Sequence, residues 1–384
     1  MALFCLLRIC AIALPASSVV GAELLQIHAI WRHGDRPPTY TYPNDPYQES
    51  AWPVKWGELT PTGMWQHYRQ GQKLRQEYIV KHKLVKAKYN PSDIYVRSTD
   101  IDRVLASAYS NLAGFYSDPN GTYPEEAPWP SRWTPIAVHT RPIDLDVLLL
   151  GQWVCPRRDQ LLNEMLNHKK IKAMFKRNRA FIDMLEEKTQ SNLTTVHDLY
   201  HLWNILHCEK VHNLAFPAWI TQDVWNRLVK IGRVGYDYQF GEAAYGIPEN
   251  AEMVRLRSGY LASHLIETMK QRLNGTNKTP YYAYSGHDST VGGFLLTVGA
   301  KKKVIGDITA DYASTVVLEL WKREQDRPYV RLRFSANAES PFVTITDKVV
   351  GCPKDEFCPL DTFIKHRQKY LLRDYAKACE AKNT

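Results

Sequence analysis

Residues 24 to 31, LLQIHAIW, form a short apolar run rich in β-formers that stops at the charged stretch RHGDRPP. Such a run predicts a buried strand that ends in a functional loop. Leu59-Thr60-Pro61 then opens a helix, with Thr60 as N-cap and Pro61 at the first helical position. Met64, Tyr68, Gly71, Leu74 and Tyr78 recur at spacings of three and four, so one face packs inward. A second strand is predicted over Asp93 to Arg97, with Ser98, Thr99 and Asp100 as capping residues. Ile101, Val104, Leu105, Ala108, Leu112 and Phe115 give the next helix its apolar stripe. The pattern returns at residues 281 to 286, YYAYSG, followed by His287-Asp288-Ser289 and an apolar helix from about Thr290 to Val298.

Strands alternating with helices predict an α/β fold with a largely parallel central sheet flanked by helices. All three charged loops fall at strand carboxyl ends, where such sheets bind ligands. Between about 151 and 275 the chain reads as mostly helical, in Gln160 to Glu187, Val196 to His207, Thr221 to Ile231 and Glu249 to Leu273. This segment, 151–274, is expected to be a helical cap inserted into a core made of 23–150 plus 275–384. After 310 the pattern turns to β, in Ser314 to Trp321, Val330 to Phe334 and Phe342 to Thr346, predicting antiparallel additions at the sheet edge.

The N-terminus adds a compartment. Leu3 to Leu14 is almost continuously apolar, and Val20-Gly21-Ala22 has the small residues a signal peptidase requires, so residues 1–22 are expected to be a signal peptide. No later stretch is long and apolar enough to span a bilayer, so no membrane anchor is expected. About 360 residues remain, and the chain, 44% hydrophobic over its full length, can bury a sizeable core. The net charge of +9, or +8 without Arg8, is spread along the chain and attracts anionic substrates. Basic runs without interleaved aromatics do not point to nucleic acid. Of seven cysteines, Cys5 and Cys10 leave with the leader, and five remain: Cys155, Cys208, Cys352, Cys358 and Cys379. An odd number in a secreted protein implies two disulfides and a leftover thiol, or an intermolecular bond. Acceptor sequons at Asn120, Asn192, Asn274 and Asn277 suit a soluble glycoprotein, secreted or in the lysosomal lumen.

Chemistry concentrates in Arg32-His33-Gly34-Asp35-Arg36-Pro37-Pro38. Two guanidiniums match phosphate oxygens bidentately, and a neutral imidazole between them can attack phosphorus. This stretch resembles the signature of the histidine acid phosphatases, the branch holding the prostatic and lysosomal enzymes and the phytases. Leu59 to Met64, the RSTDxxR-like stretch Arg97 to Arg103 and Ser285-Gly-His-Asp288 continue the likeness, and Cys208 to Asn213 is similar to a cap segment of the prostatic and lysosomal enzymes. The resemblance implies that His33 is the nucleophile and Asp288 the proton donor. It implies that Arg32, Arg36, Arg97 and His287 bind the phosphate, with no metal and no cofactor. Taken singly, Arg97 reads as a surface ion pair and His287 beside Asp288 as a local hydrogen-bonded pair; three loops in the right order carry the functional reading. Asp35 has no derivable role, and Asp100 and Arg103 read equally as second-layer residues or as cap and helix surface.

The resemblance also implies disulfides Cys155–Cys379 and Cys352–Cys358, with Cys208 left free because Thr315 stands where relatives have its partner. His197 and His201 lie four apart, near His207, Cys208 and His212, but without the glutamate of H-E-x-x-H they read as structural rather than as metal ligands. The expected partner is a small-molecule or peptide phosphate monoester, and the prostatic branch suggests a homodimer. Two alternatives stand beside this reading: a phytase-like inositol phosphate hydrolase and a non-catalytic secreted binding glycoprotein.

Overall fold

The structure is a computed structural model that describes residues 22–382 apart from 119–120, 125, 127, 131–132, 152–153, 308 and 324–325. The leader, up to residue 21, and the acceptor Asn120 lie outside the described residues. Two strand–loop–helix units open the chain, β1 (Glu23–Arg32) with α1 (Pro61–Arg75) and β2 (Ile94–Ser98) with α2 (Asp102–Phe115). A helical run follows: α3 (Pro156–Leu166), α4 (Lys169–Arg177), α5 (Arg179–Thr189), α6 (Val196–Val211), α7 (Gln222–Leu228), α8 (Val234–Gln239), α9 (Ala251–Val254) and α10 (Tyr260–Leu273). The third unit is β3 (Tyr281–Gly286) with α11 (Asp288–Thr297). Beyond it come α12 (Lys301–Val304), β4 (Thr315–Arg323), β5 (Arg327–Ser335), β6 (Val343–Thr344), β7 (Cys358–Pro359), α13 (Leu360–Lys365) and α14 (Tyr375–Ala378).

The strands form one sheet in the order β2-β3-β1-β4-β5-β6, with β7 also on β5. β3 pairs in parallel with both β1 and β2, whereas β4 to β7 join antiparallel. The sheet is therefore mixed, and its parallel part holds the three strands whose carboxyl ends carry the charged loops. β1 is buried on both faces from Leu25 onward, which explains its largely apolar run, and its buried polar side chains His28 and Gln26 bond to each other at 3.2 Å. One face packs Ile27, Ala29 and Trp31 with Leu74, Tyr78, Leu112 and Phe115 of the first two units. The other packs Ile30, Tyr284 and Leu318 with Leu265, Phe294 and Leu295. The helical run has its own core, built from Ile182, Leu185, Val196, Leu199, Leu206, Leu228 and Leu256.

Local sequence explains most element limits and corrects some expectations. Thr60 caps α1 by accepting from the Gly63 amide at 3.0 Å, with Pro61 in the first turn. The helical stretch read over 160–187 is divided twice, at His168, whose ring accepts from the Lys170 amide, and at Asn178, whose side chain bonds to the Met174 carbonyl. Ser98, Thr99 and Asp100 do not cap α2. Ile101 holds the cap position in extended conformation, and the Thr99 hydroxyl goes to His287 instead. The disulfide Cys155–Cys379 ties the start of the helical run to the C-terminal segment, and Cys352–Cys358 closes a short loop before α13. Linking residues 224 apart restricts the unfolded chain by about 5 kcal/mol in the chain-entropy account.

Candidate active site

The three loops meet because backbone bonds lash them across neighbouring strand ends. The His33 amide donates to Gly286 O at 2.9 Å, and the Thr99 amide to Ser285 O at 3.2 Å. The loop after β1 also lies directly on the first turn of α1. A Cβ at Gly34 would fall 2.4 Å from Gly63 O, and one at Gly63 would fall 2.5 Å from Asp35 O, so neither position admits a side chain.

His33 is 2% exposed, and its Nδ1 lies 2.8 Å from Gly34 O. A carbonyl oxygen can only accept, so Nδ1 carries the proton and Nε2 keeps its lone pair. Burial, then the charges of Arg103, Arg32 and Arg36, hold the imidazole pKa well below its usual value. His33 therefore stays neutral in acid. His287 lies edge-on to it, with ring centroids 5.6 Å apart, and its Nε2 is 3.1 Å from the Thr99 hydroxyl. Burial, then Arg103, brings the His287 pKa down to about 3.

Asp288 opens α11, where a carboxylate is favoured by the helix N-terminus. Its Oδ2 is 4.0 Å from Arg32 Nη2. Burial opposes its charge, yet Arg32, His287 and Arg36 together hold its pKa below the usual carboxylate range. Arg32 also donates to Ala310 O at 2.7 Å and lies over the Tyr312 ring, 4.1 Å from the centroid. Arg36 reaches across to α6, with Asn204 Oδ1 at 3.4 Å and Cys208 Sγ at 3.7 Å. The Nε atoms of Arg32, Arg36 and Arg103 are buried without an acceptor. Buried cations left short of countercharge are costly, so this cluster is built to receive an anion.

Arg97 is not part of the cluster. Its guanidinium meets Asp146 at 2.9 Å, and both side chains are almost fully buried. The pair borders a separate cavity of about 750 Å³ with Arg141, His264 and Arg373. Arg103, one residue inside α2, supplies the guanidinium charge felt by His33, His287 and Asp288 alike. Burial, then Arg36, lowers its own pKa to about 10. Its place in the stretch Arg97 to Arg103 was the only sequence signal for it.

Asp35 gains a role that its sequence context hides. Its Oδ2 accepts from Thr60 Oγ1 at 2.6 Å and from His212 Nε2 at 3.0 Å, which joins the loop to α1 and to the end of α6. Cys208 is a free, buried thiol, 3.5 Å from Tyr312 Oη, while Thr315 turns its hydroxyl to Ala313 O. His197 and His201 bond to each other, Nε2 to Nε2, at 2.7 Å, and no metal-binding cluster occurs among the described residues. Asn192 and Asn274 are exposed, whereas Asn277 is half-buried and its amide nitrogen donates to Tyr282 Oη at 2.7 Å. No described helix is long and apolar enough to cross a membrane.

Comparison with known proteins agrees with this geometry. The family model for the histidine phosphatase superfamily (branch 2) matches residues 23–335. Lysosomal acid phosphatase of Homo sapiens is 33% identical over 354 residues, covering 91% of this chain and 79% of that protein. Prostatic acid phosphatase of Bos taurus is 33% identical over 372 residues, covering 95% and 90%. Among solved structures, the apo form of Hafnia alvei phytase superposes with a TM-score of 0.65 at 18% identity, covering 96% of this chain and 100% of that one, a likeness of fold alone.

Proposed function

The chain belongs to branch 2 of the histidine phosphatase superfamily and is a phosphomonoester hydrolase, and from that premise we propose that it works through a phosphohistidine on His33. The observation that carries this reading is a neutral imidazole, with its proton fixed on Nδ1, among buried guanidiniums whose Nε atoms find no acceptor among the described residues.

A phosphate monoester enters with its oxygens on Arg32, Arg36, Arg103 and His287. The Nε2 lone pair of His33 attacks phosphorus, the bond to the ester oxygen breaks, and the leaving oxygen takes a proton from Asp288. Water then attacks the phosphohistidine while the Asp288 carboxylate takes its proton. The P–N bond breaks, His33 is regenerated and phosphate leaves. Fixed donors around the phosphoryl group stabilise the charge that builds in both transition states. Asp288 must be protonated for the first step, and its neighbours favour the ionised form, so low pH is required. A bound phosphate dianion counters those cations and returns the proton more readily.

The helical segment 151–274 acts as a cap over this centre, and Arg36 contacts it at Asn204 and Cys208. Disulfides together with lysosomal relatives support an oxidising, acidic location, in a lysosomal lumen or outside the cell. The test is a pH–rate profile for p-nitrophenyl phosphate in EDTA, wild type beside His33→Ala. Activity with an optimum at about pH 5 that vanishes in the variant supports the reading. Undiminished turnover by His33→Ala sinks it.

A further inference from the structure

Next to the phosphate centre lies a cavity of about 490 Å³ bordered by Arg32, Trp203, His207, Lys210, Trp225 and Arg233. Arg32 borders this cavity as well as the phosphate centre, so the two are neighbours. Arg32 Nε, Trp203 Nε1 and Arg233 Nη1 are buried donors with no acceptor among the described residues, and these residues are 2%, 4% and 4% exposed. The carboxylate that Arg233 approaches, Asp237 at 4.0 Å, is held more closely by Lys301 at 2.9 Å.

The wall also has a flat, aromatic character. His207 stacks on Trp203 with centroids 4.9 Å apart and planes 15° from parallel. Burial, then Arg32, brings the His207 pKa down to about 4, so the ring stays largely neutral in mild acid. Lys210 Nζ lies 4.6 Å from the Trp225 ring centroid. Among the described residues Asp311 is the one carboxylate in the lining, set against the cations of Arg32, Lys210 and Arg233, and it is engaged by the Tyr312 amide at 2.7 Å.

We propose that this cavity is a leaving-group subsite for an aromatic alcohol that carries a second anionic group. The ring lies against Trp203 and Trp225, and the anion is received by Lys210 and Arg233. This inference rests on the phosphatase reading and names the substrate class of the same site. Aromatic side chains favour a flat partner, and unpaired buried donors favour a charged acceptor over a neutral one. Preferred substrates are thus aryl phosphates bearing a carboxylate rather than simple alkyl phosphates.

The test compares phenyl phosphate with p-carboxyphenyl phosphate at about pH 5.5, where the benzoate is ionised. For the wild type, kcat/KM should favour the carboxylated ester by about tenfold, mainly through KM, and the preference should shrink as salt rises. Lys210→Met and Arg233→Met should each bring the ratio of the two esters towards one. Lys210 is exposed, so its variant keeps the test decisive if the buried Arg233 substitution fails to fold. A wild-type ratio at or below one, or a ratio that Lys210→Met leaves in place, overturns the inference while the phosphatase reading stands. Failure of the folded wild type to hydrolyse either ester overturns both.

Discussion

His212, just past the end of α6, donates through Nε2 to the Asp35 carboxylate at 3.0 Å and so joins the helical segment to the loop that holds His33. Its Nδ1 lies 2.9 Å from Cys208 O, which leaves the ring little freedom. Burial works against both charges. The mutual bond nevertheless raises the His212 pKa, and that bond with the Thr60 hydroxyl lowers the Asp35 pKa.

This pair makes stability depend on pH with a defined sign. His212, raised in the fold, contributes fully below its unfolded value of about 6.5, and the contribution is lost as pH rises through the folded value. Asp35, lowered in the fold, contributes above its unfolded value of about 3.9 and loses that contribution as pH falls through the folded value. Both act together between those limits. His212→Gln should therefore cost about 1–3 kcal/mol at mild acid pH and clearly less above neutrality. Urea unfolding of both proteins at several pH values measures the gap.

Arg97 and Arg103 should separate in their effects. Arg103→Met should lower kcat/KM by about 100-fold or more with modest loss of stability. Arg97→Met should leave Asp146 buried without its partner and cost about 3–5 kcal/mol of stability. Steady-state kinetics beside denaturant melts distinguishes the two, and a reversed pattern would return Arg97 to the phosphate site.

Asp288→Asn removes the acid while keeping the shape of the side chain. Hydrolysis of an alkyl ester such as β-glycerophosphate should fall by about 10² to 10⁴, because an alkoxide leaves poorly without a proton. The loss for p-nitrophenyl phosphate should be much smaller. Equal losses for both esters would count against Asp288 as the donor.

Glu209 is a fully buried carboxyl set against Asp45, and burial followed by that neighbour pushes its pKa up to about 9. A raised acid contributes its stability below the unfolded value, and that stability drains as pH climbs towards the folded one. Glu209→Gln removes the titration. The variant should gain relative to wild type between mild acid and about pH 8, read as a flatter dependence of melting temperature on pH.

Much of this architecture could be read from local pattern, because the strand, loop and helix of each of the three units lie in one continuous stretch, the longest being Glu23 to Arg75. Arg32, His33 and Arg36 stand at or just beyond the end of β1, and His287 and Asp288 just beyond the end of β3, so local pattern is enough to single them out as candidates. Arg97 was misplaced by the same logic. The guanidinium that joins the cluster lies beyond the strand, at Arg103, and Asp146 captures the side chain within it. Asp35 could not be understood locally, as one partner lies 177 residues away. The breaks at His168 and Asn178 were hidden because the apolar spacing runs through them, while side-chain bonds to the backbone interrupt the helix.

The position of β3 between β1 and β2 has a consequence for how the protein is made. The first two parallel strands have no bond to each other, and the strand that joins them is translated only after α10. Until residue 286 has emerged, the nascent chain holds two strands without their sheet partners, each ready to pair with the wrong neighbour. No N-terminal fragment ending before β3 can assemble the nucleophile, its arginines and its acid. Assembly of the centre therefore waits for β3, and the core of the helical segment is completed later still, by Leu372, Tyr375 and Cys379.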